Sequence, residues 1–314
     1  MRAAQVKGFG GVDQLEVVEL PDPQPQPGQV RIRVEASGLN YADVMQREGL
    51  YPGGPKPPFI PGLEAAGVVE EGDSLPAGIR VMAMAATGCH AERVCVGAAA
   101  CIPFPDSMSF VEAAAFPVQY LTAYHALTTC GRATAGESVL IHAAAGGVGT
   151  AAVQIAKLLG LHVIATASSE VKRKRVLDLG ADQAFDYEEF DQKLAGKNAP
   201  VLILEAVGGD VFRRSLAILP SLGRLVVFGA ASKDVQPVDT LKLLFRSHVV
   251  SGLHLNAIFE RPHLLQESLK QLLGWIDQGK LKMQVGHTLP LAQIREAHEL
   301  ISSRRSYGKI VLVR

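Results

Sequence analysis

The chain has 314 residues, 48% hydrophobic and 20% charged, which suits two domains with sizeable cores and excludes a disordered or low-complexity protein. Lys plus Arg and Asp plus Glu number 31 each, so the formal charge is zero, without the basic footprint of a dedicated nucleic-acid or anionic-membrane binder. Cys89, Cys95, Cys101 and Cys130 contain no C-x-x-C pair, so they spell neither a disulfide framework nor a zinc knuckle. The first ten residues lack the apolar core of a signal peptide, and no apolar run is long enough to span a bilayer, so a cytoplasmic setting is expected.

In chain order, Val-Arg-Ile-Arg-Val at residues 30–34 alternates as a half-buried strand. Residues 65–69 and 91–96 read as further strands. The stretches at 21–28 and 51–62 are crowded with Pro and Gly turns. Strands in series with such turns predict an antiparallel, barrel-like domain. From residue 109 the texture changes, and residues 110–126 carry helical periodicity. Strands are then predicted at 138–142, 162–166, 185, 201–204, 224–228 and 249–253. Helices are predicted between them at 148–159, 170–179 and 211–219. This alternation is the signature of a parallel sheet covered on both faces. A long helix at 264–278, a strand, a helix at 291–302 and a last strand at 309–313 are expected to complete the first domain. The predicted division is therefore 1–118, 119–257 and 258–314, an α/β doubly wound parallel sheet inserted into a β-barrel domain.

His142-Ala-Ala-Ala-Gly-Gly-Val-Gly149 falls where the first parallel strand gives way to a helix. Glycine there permits a tight turn and close approach of backbone N–H groups to a pyrophosphate, and the helix adds its N-terminal partial charge. Ala144 stands where the G-x-G-x-x-G fingerprint has its first glycine, so strand–turn–helix context carries the prediction. A site for NAD places an acid at the end of the second strand. Here that end reads Thr166-Ala-Ser-Ser169, followed by Glu170 and the basic run Lys172 to Arg175. Hydroxyls and a nearby cation suit a 2′-phosphate, so Ser168 and Lys172 point to NADPH.

The glycine turn, Pro61-Gly-Leu-Glu-Ala-Ala-Gly67 and Gly38-Leu-Asn-Tyr-Ala-Asp43 together resemble the medium-chain dehydrogenase/reductase superfamily, in its zinc-free quinone oxidoreductase (zeta-crystallin type) branch. The resemblance runs end to end. It implies a GroES-like catalytic domain, a Rossmann domain and an active site in the cleft between them. Vesicle amine transport protein homologues of the same branch are also similar. The zinc-dependent alcohol dehydrogenases carry Cys, His and Cys ligands where this chain has Asn40, Leu63 and Val118, so no metal is expected. Without a Lewis acid, the acceptor must hold its own negative charge, as a quinone or an α,β-unsaturated carbonyl does.

By position, the resemblance assigns Asn40 and Tyr51 to the catalytic site, Tyr51 as a donor to the acceptor oxygen. Thr122 falls near the nicotinamide, and Ala145, Gly146, Gly147 and Val148 at the pyrophosphate. Ser168, Lys172 and Tyr187 fall at the adenosine phosphate, and Arg304 near the 2′-phosphate. Phe228 and Gly229 fall at the nicotinamide ribose. The expected activity is reduction of a quinone by NADPH in a homodimer paired through residues 249–253. Alternatives are an enoyl or alkenal double-bond reductase and a non-catalytic NADPH-binding protein of the same fold.

Overall fold

In the computed structural model, which describes all 314 residues, the chain opens with an antiparallel hairpin of β1 (Arg2–Val6) on β2 (Leu15–Glu19). The strand read at residues 30–34 extends to β3 (Gln29–Leu39), whose buried Val30, Ile32 and Val34 alternate with outward Arg31 and Arg33. A helix at Tyr41–Glu48 follows, then β4 (Glu64–Gly72), β5 (Arg80–Met84), β6 (Arg93–Gly97) and β7 (Cys101–Pro103). β3 pairs antiparallel with both β4 and β6, and β4, β5 and β7 continue the sheet. Aliphatic side chains of these strands close one core, with Val30, Ile32, Val69, Val81 and Val96 nearly or fully buried.

The helix expected over 110–126 is broken. Ser109 caps a short helix, Phe110–Ala114, with its hydroxyl and Glu112 in reciprocal hydrogen bonds. A second helix, Pro117–His125, starts afresh and relaxes into a π-turn at Ala126–Cys130. Pro117 explains the break, because it has no N–H to give the preceding turn and disfavours helical backbone just before it.

The second region alternates strand and helix: β8 (Ser138–Ile141), β9 (His162–Thr166), β10 (Gln183–Phe185), β11 (Leu202–Glu205), β12 (Arg224–Val227) and β13 (Val249–Gly252). All pairs are parallel, in the order β10-β9-β8-β11-β12-β13. The order reverses between β8 and β11, and the crevice beyond their carboxyl ends is where doubly wound sheets bind ligands. Leu140, Ile164, Ile203, Phe212 and Leu225 form the core of this region.

The chain then runs through the helix Pro262–Asp277 to β14 (Val285–Pro290), the helix Ile294–Ser302 and β15 (Lys309–Val313). Contacts divide the protein into residues 1–118 with 283–314 and residues 119–282. The long helix therefore belongs with the parallel sheet, and the return placed at residue 258 falls at 283 instead. Lys282 anchors it: its carbonyl accepts from Tyr120 Oη at 2.8 Å and Gln154 Nε2 at 3.0 Å, and its N–H donates to Gln154 Oε1 at 3.1 Å. In the first unit β15 lies antiparallel to β3, while β14 is parallel to β15, a departure from an all-antiparallel pattern. Ala4, Val6, Leu15, Leu39, Ile294 and Ile310 share one core, so the two ends of the chain fold together.

Candidate active site

The glycine turn of the second unit is held by residues on either side of it. Ala143, not a glycine, takes the left-handed conformation at φ 50°. Its N–H donates to Tyr187 Oη at 2.9 Å. Ala144 N–H donates to Thr166 O at 3.1 Å, tying the turn to the end of β9. The glycines serve close approach instead. A Cβ on Gly149 would lie 2.5 Å from Ala144 Cα and still closer to the Ala143 carbonyl. The helix Gly147–Leu158 begins with Gly146 as its N-cap, which has no side chain to satisfy the first-turn amides. A bare, amide-rich helix start fits a pyrophosphate.

Beneath the turn, His142 is fully buried. Ser215 Oγ gives its single proton to Val211 O at 2.7 Å, so at 2.8 Å from His142 Nε2 it must accept. His142 is therefore the Nε2–H tautomer, and Nδ1 accepts from Thr166 Oγ1 at 2.8 Å. Burial, aided by Arg214, lowers the ring pKa to about 3 and keeps it neutral. Tyr187 stacks on His142 with ring centroids 6.1 Å apart.

At the end of β9, Ser168 is exposed and Ser169 caps the next helix, accepting from Lys172 N at 3.3 Å. Lys172 is half-buried, and burial together with Arg175 lowers its pKa. No carboxylate stands at this corner before exposed Glu170. The residues present thus fit a phosphorylated adenosine. Phe228 and Gly229 follow β12 beside β11, with Phe228 N–H donating to Glu205 O at 3.0 Å. Thr122 lies buried on the helix Pro117–His125. The second unit thus gathers the turn, Ser168, Lys172, Tyr187, Phe228 and Gly229 around one end of its sheet. Arg304 belongs to the first unit, exposed just after the helix Ile294–Ser302.

In the first unit, Asn40 is the N-cap of the helix Tyr41–Glu48. Its side-chain Nδ2 donates to Glu64 Oε1 at 2.9 Å and to Gly38 O at 3.3 Å. Lys309 Nζ donates to Asn40 Oδ1 at 2.7 Å and pairs with Glu64. The second Glu64 oxygen accepts from Val118 N at 2.8 Å. Glu64 and Lys309 are almost wholly buried. Gly38 leaves them room: a Cβ there would come within 2.6 Å of Lys309 Cε and 2.7 Å of Glu64 Oε1. Asp43 braces the turn, accepting from Asn40 N at 2.7 Å and Gly62 N at 3.0 Å. Burial would raise the Asp43 carboxyl, but the His90 ring 3.7 Å away and the Asn40 amide outweigh it, and the pKa is lowered. Tyr51 is half-buried in the turn after this helix, and burial with the Asp43 charge raises its pKa, so it keeps its proton.

Sequence reasoning assigns no site role to Glu64 and does not single out Lys309. Lys309 lies 269 residues from Asn40 along the chain, and only the β15–β3 pairing brings them together. A lysine opening an apolar final strand is the one available signal. Tyr187 carries no sign of its bond to Ala143.

Residues 26–106 match the alcohol dehydrogenase GroES-like domain, and residues 179–312 match the zinc-binding dehydrogenase family. The quinone oxidoreductase of Rattus norvegicus is 34% identical, covering 100% of this chain and 98% of its own length. The synaptic vesicle membrane protein VAT-1 homolog-like of Mus musculus is 32% identical over 99% of this chain and 81% of its own. Among solved structures, the Thermus thermophilus quinone oxidoreductase, determined also in complex with NADPH, is 41% identical with a TM-score of 0.91, both chains fully covered. The Escherichia coli quinone oxidoreductase complexed with NADPH is 31% identical with a TM-score of 0.94, again over the whole of both chains. With similarity at this level from end to end, the chain belongs to the medium-chain dehydrogenase/reductase superfamily, in its quinone oxidoreductase branch.

Proposed function

We propose that the protein is an NADPH-dependent, zinc-independent reductase whose acceptor is a quinone or a related conjugated carbonyl. The observation that carries the reading is the Asn40 amide bound to the Lys309 ammonium, at the position where zinc dehydrogenases of this superfamily have a thiolate. With Leu63 and Val118 at the other two positions, a zinc ion would meet an ammonium and two hydrocarbons in place of anionic and imidazole ligands.

Residues 145–148 would hold the pyrophosphate through backbone amides. Ser168, Lys172, Tyr187 and Arg304 would hold the 2′-phosphate end, and Thr122, Phe228 and Gly229 the nicotinamide side. A dihydronicotinamide bound there would supply a hydride. Tyr51, kept protonated by burial and Asp43, donates a hydrogen bond to the oxygen that gains charge. A quinone or enone spreads that charge itself, so orientation and one such donor are the protein's share. NADPH consumption with a quinone panel, an enone panel and no acceptor tests the proposal. Turnover with quinones supports it, enone turnover alone makes the protein a double-bond reductase, and tight NADPH binding without turnover makes it a binding protein.

The active form would be a homodimer. β13 is the open edge of the parallel sheet, and beside it the helix Thr240–Arg246 exposes Leu241, Leu244 and Phe245. An unpaired edge with an apolar flank suits a second copy of the chain. No helix is long and apolar enough to cross a membrane, and a cytoplasmic location completes the proposal.

A further inference from the structure

We infer that Glu64 and Lys309 are positioning residues that fix the polarity of the Asn40 amide, so that Asn40 meets a bound ligand only as a hydrogen-bond acceptor. The inference rests on the reading that Asn40 faces the cofactor or the acceptor molecule.

An ammonium can only donate, so the Asn40 atom 2.7 Å from Lys309 Nζ is the oxygen. An ionised carboxylate can only accept, so the atom 2.9 Å from Glu64 Oε1 is the nitrogen. The second N–H of that nitrogen points to Gly38 O. Both amide protons are therefore committed within the protein. Glu64 cannot swing aside, because its other oxygen accepts from Val118 N. Turning the amide over would set N–H groups against the ammonium and an oxygen against the carboxylate. Of the three side chains only Asn40 is not fully buried, so it alone can meet a ligand, and with both its amide protons committed it has only Oδ1, an acceptor of two bonds that takes one from Lys309, to offer.

The chemistry of the ligand follows. The group that meets Asn40 carries an N–H or O–H, such as a carboxamide or a hydroxyl, and is not an anionic oxygen. Asn40 then does not stabilise the oxyanion of the reduced acceptor, and that role falls to Tyr51. An isolated asparagine can present either end; here the polarity is set by a carboxylate 24 residues away in the sequence and a lysine on the last strand.

Two variants test this. Asn40→Asp in the protein without cofactor keeps the oxygen that faces Lys309 but places its other oxygen against Glu64. The locked arrangement holds a proton between those two carboxylates, which raises the apparent pKa of the pair. The melting temperature relative to wild type should then be highest in acid and fall as the pH rises above the ordinary Asp value. A side chain free to rotate would turn its carboxylate to solvent and leave that difference independent of pH, which would overturn the inference. The second variant, Glu64→Gln/Lys309→Met, removes both charges together. The carboxamide that replaces the Glu64 carboxylate must accept from Val118 N with its one oxygen, so its NH2 faces Asn40 and the Asn40 amide reverses. We expect a folded protein with the affinity for NADPH or the kcat with a quinone reduced roughly tenfold. Wild-type kinetics in the double variant would overturn the proposal. If wild type itself turns over no acceptor, the proposed activity fails, and the pH dependence of Asn40→Asp still decides the polarity.

Discussion

The turn at residues 143–149 and the Asn40–Glu64–Lys309 cluster are both polar features of a largely apolar protein, yet they are assembled differently. The turn lies within a single short run of consecutive residues and offers a ligand its own backbone, with Tyr187 and Thr166 as outside braces. The cluster draws on residues up to 269 positions apart and offers one side chain whose polarity two buried charges decide. Backbone sites tolerate side-chain change wherever a Cβ fits. Side-chain sites fail when a single partner is lost. Both units also keep histidines out of water and neutral, His142 under the turn and His125 in the second unit, His298 beside Arg47 in the first.

Acidification should strain both regions and has the largest expected effect. Burial lowers the pKa of His142 and of His298 to about 3 each and that of His125 to about 4, while a histidine in the unfolded chain takes its proton at about 6.5. Below that value the unfolded state binds more protons than the folded one, so stability falls as the pH drops through the window from about 6.5 towards about 3. The slope is about 1.4 kcal/mol per pH unit for each ring. Urea unfolding at a series of pH values should show it, and His142→Gln should remove one proton's worth of slope. A stability independent of pH across this window would mean that the rings are hydrated.

Charge removal separates the two regions next. Lys309→Met leaves Glu64 buried without its partner and should cost about 3–5 kcal/mol of unfolding free energy. The Glu64→Gln/Lys309→Met pair should recover most of that loss. At the nucleotide corner, Lys172→Ala removes a half-buried cation from a partly open surface and should barely change stability. Its effect appears with ligand: loss of a charge-assisted hydrogen bond of about 1.5–3 kcal/mol weakens NADPH roughly 10- to 150-fold and leaves NADH alone. Ser168→Asp should go further, by setting a like charge against the phosphate. Equal affinity of wild type for both cofactors would show the basic run to be only a solvated helix face.

The contrast also explains what could be read in advance. From residue 138 to 278 the predicted elements fall within a residue or two of their observed ends, β9 outright and the helix Pro262–Asp277 predicted at 264–278, and β15 also matches outright, whereas β3 runs to Leu39 against a predicted 34 and β4 to Gly72 against 69. The break at Pro117 escapes the sequence reading because apolar spacing runs straight through it. The helix Tyr41–Glu48 escapes it too, although Asn40 and Asp43 frame its start and Gly49 ends it. Ala143 carries the left-handed turn because a tyrosine 44 residues on accepts its amide proton, and no pattern in the turn itself encodes that. Lys309 reads as one more polar residue before a hydrophobic strand until β15 is laid against β3.

Tyr187 gives the finest test, because two roles predict opposite selectivity. The resemblance places it at the adenosine phosphate. Its hydroxyl accepts the Ala143 N–H at 2.9 Å and its ring stacks on His142, which makes it a brace for the turn that would carry the pyrophosphate. Tyr187→Phe keeps the ring and removes the acceptor, leaving a left-handed alanine amide without its partner. That loss is worth about 1 kcal/mol, or roughly fivefold in affinity. The pyrophosphate is common to both cofactors, so a brace predicts the same weakening for NADPH and NADH. A phosphate contact predicts weakening of NADPH alone. Titration of both cofactors against the variant, compared with Lys172→Ala under the same conditions, separates the two. Parallel shifts assign Tyr187 to the turn, and a shift confined to NADPH assigns it to the phosphate.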